Sequence, residues 1–329
     1  MSTRHRILVA GAGGFIGSHM AKRLHGEGYF VRAVDIKWDG YFEEPYYSEK
    51  VTLDLRDYKN CLKATEGINY VYQFAADMGG IGYITAVGAD IMHNSALINI
   101  HMLQASVKNK VKRFFYSSSA CVYPEYKQLN PDIPALKEED AHPAQPDQYY
   151  GWEKLFSKRL YLAYKKNYGM EVRIARYHNI FGPEGTWQGG KEKAPAALCR
   201  KVAMAPDGGE IEIWGDGKQT RSFLYIDECL EGTSRLMRSD WTGPVNIGSE
   251  EMVTINQLAE MIMEIAGKKF SINHVPGPLG VRGRNSDNKL IWEKLRWKPS
   301  MPLKDGLIKT YKWIEEQVKK SKVREGMRE

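Results

Sequence analysis

The stretch RILVAGAGGFIGSHM, Arg6 to Met20, constrains this chain more than any other. An apolar run of strand length ends at Ala10. Glycines stand at Gly11, Gly14 and Gly17, and an amphipathic helical pattern starts at once. Such a turn lets backbone N–H groups approach a pyrophosphate, with the positive end of a helix dipole behind them. Phe15 and Ile16 belong to the same turn, and Ile16 makes the spacing GxxGxxG, since it occupies the last position of GxGxxG. Tight turns demand glycine for conformational reasons alone, so the context decides. Here a strand precedes, a helix follows, and an acidic residue ends the next apolar strand. That residue is Asp35, 24 positions beyond Gly11. A carboxylate there accepts hydrogen bonds from ribose hydroxyls and repels a 2′-phosphate, which favours NAD over NADP, with Lys37 softening the preference. Asp54, in LDLRD, follows another short apolar strand and is either an adenine contact or a helix cap before Leu55.

The pattern extends along the first half. RILVA, VRAV (31–34), YVYQFA (70–75), RFFYSS (113–118) and VRIARY (172–177) read as buried strands. Amphipathic stretches such as IGSHMAKRLHGEG and the run from Asn94 to Lys108 lie between them. Strand–helix alternation predicts an α/β fold, a Rossmann-type doubly wound parallel sheet covered on both faces. Past about Phe181 the regularity fails. IEIWGDGKQTRSF reads as an edge hairpin, PVNIG and SINHVPG follow, and a last helix from about Leu303 puts Leu303, Leu307, Tyr311, Ile314 and Val318 on one stripe. The expected organisation is a nucleotide-binding domain over 1–180 and a smaller α/β substrate-binding portion over 181–329, interleaved with the first.

Composition narrows the partners. The net charge of +7 suits an anionic ligand, because the basic residues are scattered and no basic run is interleaved with aromatics as in a single-strand binder. Only KKSKVRE, from Lys319, concentrates charge, and it reads as a solvated tail. Cys61, Cys121, Cys199 and Cys229 lie far apart with no metal-ligand spacing, which predicts free thiols in a reducing compartment. MSTRHRILVAGAGG runs into the first strand with no apolar leader, and no stretch nears the length of a membrane span. A cytoplasmic location is expected.

YGWEK places Tyr150 and Lys154 four apart on one helix face. A nearby ammonium and the positive nicotinamide would lower the phenol's pKa, making it usable as a base. YLAYK repeats the spacing at Tyr161 and Lys165. Position separates the two: Tyr150 follows the serine-rich strand end YSSSA after AHPAQPDQYY, and Ser119 would share the substrate hydroxyl with it.

GAGGFIG, Asp35, SSS and YxxxK together resemble the extended short-chain dehydrogenase/reductase family that works on nucleotide sugars. The resemblance covers nearly the whole chain, including RYHNIFGP (176–183) and RSFLYID (221–227). It implies bound NAD, a transient 4-ketone on the sugar, and a homodimer formed through helices, with the run from Asn94 to Lys108 as one of them. It also draws attention to Cys121. The family's 4,6-dehydratases carry an Asp-Glu pair whose glutamate falls on this position, and its simple 4-epimerases have threonine. A thiol suits proton abstraction beside a ketone, because thiols titrate near 8.5 and cations lower that value. Lys193, in GGKEKAPAA before a helix start at Pro195, is the matching cation, its pKa lowered by the helix dipole. The plain alternatives are a packed cysteine and a solvated lysine.

MGGIGY (78–83), SSSACVYP, GGKEKAPAA, WGDGKQTRSF and GVRGRNSDN carry a narrower likeness, to a branch that inverts sugar carbons on either side of the ketone. That likeness implies Cys121 and Lys193 as the acid/base pair, with Tyr150, Lys154 and Ser119 serving the oxidation. It places Gly79, Asn179, Glu192, Ala194, Lys201, Gln219, Arg221 and Arg284 around the substrate. Forked hydrogen bonds also suit the two arginines to a diphosphate. An epimerase–reductase using NADP, a UDP-sugar 4-epimerase and a non-catalytic NAD-sensing domain are the competing readings. Asp35 disfavours the first, and Tyr150, Lys154 and Ser119 would be coincidental in the last.

Overall fold

The computed structural model describes residues 5–38, 41–42 and 45–326, so the first four residues of the N-terminal stretch lie outside it. The first half holds β1 (Arg6–Ala10), α1 (Phe15–Gly26), β2 (Phe30–Asp35), β3 (Glu49–Thr52), α2 (Tyr58–Thr65) and β4 (Tyr70–Gln73). Next come α3 (Ile81–Ala86), α4 (Gly88–Lys108), β5 (Arg113–Ser119), α5 (Tyr149–Tyr168) and β6 (Glu171–Tyr177). The remainder adds β7 (Ile180–Phe181), α6 (Ala194–Met204), β8 (Glu210–Trp214), β9 (Thr220–Ser222), β10 (Leu224–Tyr225) and α7 (Ile226–Arg238). It closes with β11 (Val245–Ile247), β12 (Met252–Thr254), α8 (Ile255–Ala266), β13 (Ser271–Val275), β14 (Gly283–Arg284), α9 (Lys289–Leu295) and α10 (Leu303–Gly326).

Seven parallel strands form the central sheet in the order β11-β6-β5-β4-β1-β2-β3. Alternate side chains of each strand enter opposite layers, which is why these segments are apolar throughout. Ile7, Val9, Val31, Ala33 and Phe115 face a core containing Met20 and Leu24 of α1 and Leu230 of α7. Leu8, Ala10, Val34, Phe114 and Tyr116 face the other, against Cys61 of α2, Met102 and Leu103 of α4 and Tyr161 of α5. Strand order reverses between β1 and β4, and in such sheets the crevice beyond the strand ends at that point receives ligands.

β11, in the second half, completes this sheet beside β6. The expected hairpin at IEIWGDGKQTRSF does not form. Gly215 and Gly217 take φ of 71° and 66° and redirect the chain. β8 then pairs with β13, and β9 with β12 and β14. This has a functional consequence, because the β9–β14 register sets Arg221 directly beside Arg284. The stripe of α10 is buried as predicted, all five side chains at 5% exposure or less, and each aliphatic one contributes about 1.5–3 kcal/mol on burial. The helix runs on to Gly326, so the KKSKVRE segment is its last turns rather than a tail, its first lysine paired with Glu315.

Candidate active site

At the β1–α1 turn, Gly11 takes φ of 84°, and Gly14 is the N-cap of α1. A Cβ on Gly17 would stand 2.0 Å from the Gly11 carbonyl oxygen, and one on Gly11 would stand 2.6 Å from Ala75 N. These glycines therefore let β1, α1 and the loop after β4 close on one another. Gly13, not singled out in the sequence, is as constrained, since its Cβ would lie 1.9 Å from the Lys37 carbonyl oxygen. Asp35 accepts hydrogen bonds from the N–H groups of Gly13 (2.9 Å), Ile36 (2.7 Å) and Lys37 (3.1 Å), which fix its carboxylate at the end of β2. Gly11, Gly14, Asp35, Asp54, Asp77 and Lys191 are among the residues bordering a cleft of about 370 Å³. Its glycine floor and acidic far wall fit a dinucleotide whose pyrophosphate lies over the turn and whose ribose meets Asp35. Asp54 holds Arg56 through its Nε and Nη2, an ion pair that keeps its carboxyl below the usual range. It caps no helix; Asp57 caps α2, accepting from the Lys59 N–H at 2.8 Å.

Tyr150 and Lys154 lie in the first turns of α5, both buried. Ser119 is the last residue of β5, and Lys154 Nζ donates to the Ser117 carbonyl at 3.0 Å. The ammonium lies 5.4 Å from the Tyr150 ring centre. Sequence reasoning anticipated a lowered phenol. In the chain itself burial wins and holds the Tyr150 pKa well above its ordinary value, with Cys121 and Glu153 adding to the rise and Ser119 opposing it. Burial likewise pulls Lys154 below its usual value. Any lowering of the phenol would need positive charge from outside the chain. The second YxxxK is structural: Tyr161 stacks on Tyr116 at 4.3 Å and donates to Asn99 Oδ1 at 3.0 Å, while Lys165 bonds Thr242 at the surface.

A second cleft, of about 380 Å³, meets the first at Met78. Ser119, Cys121, Lys193, Gly79, Asn179, Glu192, Ala194, Lys201, Gln219, Arg221 and Arg284 all border it. Cys121 sits in a single 3-10 turn (Ala120–Val122) directly after β5, half-buried, its N–H bonded to Ser119 Oγ at 3.1 Å. Lys193 is the N-cap of α6, and its pKa is lowered as expected. The cause differs from the one anticipated: burial lowers it, and Cys121 and Cys229 oppose this. Glu192 is tied to Arg200 at 3.0 Å and to the Gly190 N–H at 2.7 Å, which shapes the loop carrying Lys193.

The arginines depart from expectation. Arg284 Nε donates to Gln128 Oε1 at 2.6 Å, and its Nη1 reaches Cys121 Sγ at 3.3 Å. Arg221 donates to the carbonyls of Thr220, Leu279 and Val281. Neither presents an open two-nitrogen fork to a diphosphate, because the loops around β9 and β14 close on both. Sequence reasoning also missed Gln128, Asp147, Asp77, Tyr83 and Lys191. Tyr83 donates to Asp77 Oδ1 at 2.7 Å, and Lys191 lies over the Tyr83 ring at 3.8 Å, so the α3 and α6 entry loops are latched where the clefts meet. Tyr83 and Lys191 lie within the quoted motifs MGGIGY and GGKEKAPAA, Asp77 adjoins the first, Asp147 lies in AHPAQPDQYY, and Gln128 carries no signal in the sequence.

A glycine turn closing on an acidic strand end, with Ser119 bordering a second cleft and Tyr150 and Lys154 buried on α5, defines a nucleotide-dependent enzyme of the short-chain dehydrogenase/reductase type. The chain belongs to the NAD dependent epimerase/dehydratase family, which matches residues 7–248, and its cofactor is NAD. It is 53% identical to GDP-mannose 3,5-epimerase of Arabidopsis thaliana over 97% of this chain and 84% of that one. Among solved structures it is similar to UDP-glucose 4-epimerase of Thermotoga maritima, with a TM-score of 0.85, 26% identity, and 95% and 99% of the two chains covered. UDP-glucuronic acid 4-epimerase from Bacillus cereus, in complex with UDP-glucuronic acid and NAD, is similar at a TM-score of 0.81, 26% identity and the same coverage.

Proposed function

We propose that the protein epimerises GDP-mannose at C3 and C5, forming GDP-L-galactose, and GDP-L-gulose where C5 alone is inverted. One observation carries the reading: Cys121 and Lys193 border the same cleft as Ser119, whose hydroxyl opposes the rise in the Tyr150 pKa. Its support from relatives is the 53% identity to an enzyme of that name. The glycine turn and Asp35 would hold NAD, which would supply a reversible hydride acceptor for C4 of the sugar. Tyr150 takes the proton of the C4 hydroxyl, with Ser119 holding the same oxygen and Lys154 supplying positive charge beneath the ring. The carbons beside the resulting ketone become acidic. Cys121 and Lys193 remove a proton there and deliver another from the opposite side, with Arg284 Nη1 in contact with the sulfur.

Net redox change is zero, so turnover is expected without added reductant. Incubating the NAD-loaded protein with GDP-mannose and separating the hexoses by chromatography should show new epimers with no net NADH. Stoichiometric consumption of NADPH during steady turnover would replace this reading with the epimerase–reductase.

We also propose a homodimer through α4 and α5. Tyr149, Trp152 and Phe156 make an exposed stripe on α5, at 63%, 42% and 48%, and Met92 on the adjoining α4 is 37% exposed. Tyr149 lies against Gly88, at the start of α4, so the stripe crosses both helices. Light scattering should give twice the 37.5 kDa chain mass, and Trp152→Glu with Phe156→Glu should give monomers. A wild-type protein of single-chain mass at assay concentration contradicts the assembly.

A further inference from the structure

Asp147 lies in the segment leading into α5, and this segment is fixed to the loop after β5. The Glu125 N–H donates to the Gln145 carbonyl at 2.8 Å, and Pro124 bridges Pro146. Gly151, one turn on, approaches so closely that a Cβ would stand 2.1 Å from the Cys121 carbonyl oxygen. Asp147 is thereby held at the thiol's loop, its side chain 9% exposed and bordering the second cleft. Its Oδ1 lies 3.7 Å from Arg284 Nη2, too far for a hydrogen bond. Neither atom has a hydrogen-bond partner among the described residues. The other two nitrogens of Arg284 are engaged, one by Gln128 and one by the Cys121 sulfur. A buried charged acceptor and a buried charged donor thus stand side by side, on the same guanidinium that touches the thiol. Two arginines share this single carboxylate, for Asp147 also offsets the charge of Arg221.

We infer that the Asp147 carboxylate and the Arg284 guanidinium together recognise one hydroxyl of the hexose beside the carbon that Cys121 works on, which makes Asp147 a specificity-determining residue. The inference rests on the nucleotide-sugar reading above. A hydroxyl donates to the carboxylate and accepts from the guanidinium at the same time, whereas hydrogen or methyl does neither. A phosphate oxygen cannot donate to Asp147 and is repelled by it. Leaving two buried charged groups unsatisfied is what makes a deoxy sugar a poor ligand at such a site.

The test is calorimetric titration of the NAD-loaded protein with GDP-mannose and with its 2-, 3- and 6-deoxy analogues. Wild type should bind one of the three about 10²-fold more weakly than GDP-mannose and the others nearly as well. In Asp147→Ala that one analogue and GDP-mannose should bind about equally, while the ranking of the other two is unchanged. Melting curves establish that the variant is folded, and Asp147→Asn carries the comparison if alanine is not tolerated. Wild-type protein that binds all three analogues like GDP-mannose overturns the proposal. So does an Asp147 variant that weakens all four ligands equally, which would make the carboxylate only a charge partner of Arg284. Wild-type protein that does not bind GDP-mannose at all removes the functional reading itself, and the pair with it.

Discussion

Tyr150→Phe is expected to lower turnover of GDP-mannose by about 10²–10⁴-fold, and Tyr161→Phe to leave it nearly intact. Both tyrosines head a YxxxK and both are buried, so burial alone does not assign their roles. Their hydroxyls do. That of Tyr150 is influenced by Ser119, which borders the second cleft, while that of Tyr161 is bonded to Asn99 in a polar network between α4 and α5. The phenylalanine at 150 retains the ring packed against Ile84 and Ile91, so this variant should fold, bind NAD and stop before the ketone. Tyr161→Phe loses one hydrogen bond and about 1 kcal/mol of stability, visible in a melting curve rather than in the rate. Steady-state formation of the epimers measures both. Equal losses in the two variants would mean that the wrong tyrosine has been placed at C4.

Local signals in the chain were readable, and nonlocal ones were not. The glycine turn declares itself because a strand, a glycine spacing and a helix start fall within a dozen residues, although the backbones that Gly11 and Gly13 approach, at Ala75 and Lys37, lie elsewhere. Asp35 follows from strand periodicity, and the α10 stripe from helical spacing. Tyr150 was separable from Tyr161 only by order along the chain, and the structure supplies the physical reason for that choice. Elsewhere the decisive partners are distant. Arg284 is placed by Gln128, 156 residues away, and by a β9–β14 register that no periodicity in WGDGKQTRSF or GVRGRNSDN announces. The lowered Lys193 is a case of a right direction with the wrong cause. A helix start is legible in KAPAA, whereas the burial that dominates depends on how α6 seats against the sheet. Asp147 shows the limit most sharply. It is an ordinary loop aspartate in sequence, and only the closure of three loops leaves its carboxylate oxygen facing a guanidinium across 3.7 Å.

Cys121 and Lys193 carry the other large effect. If they exchange protons at the carbons beside the ketone, replacing either should stop epimer formation and solvent-hydrogen exchange while the C4 oxidation remains possible. A packing role for the cysteine predicts the reverse, because Cys121→Ala removes a small apolar volume and would give a less stable but chemically competent enzyme. The structure already leans against packing alone. Cys121 is the one half-buried thiol of the four, the others being buried, and its sulfur is met by a guanidinium rather than by hydrocarbon only. Cys121→Ser is the sharper probe. It nearly keeps the volume and still accepts a hydrogen bond from Arg284, but a hydroxyl ionises far above the range in which a thiol works. It should fail almost as badly as alanine, with the loss of about 10²–10⁴-fold typical of a missing acid or base. Lys193→Met keeps the aliphatic stem and removes the titrating group, so it should fail in the same assay without unfolding α6. The measurement is deuterium uptake from heavy water into C3 and C5 of recovered sugar, read by NMR, beside a melting curve for each variant. Wild-type uptake in both Cys121 variants would return the cysteine to the core and leave Lys193 without a partner, and epimerisation on two sides of one ketone would then need a different second base.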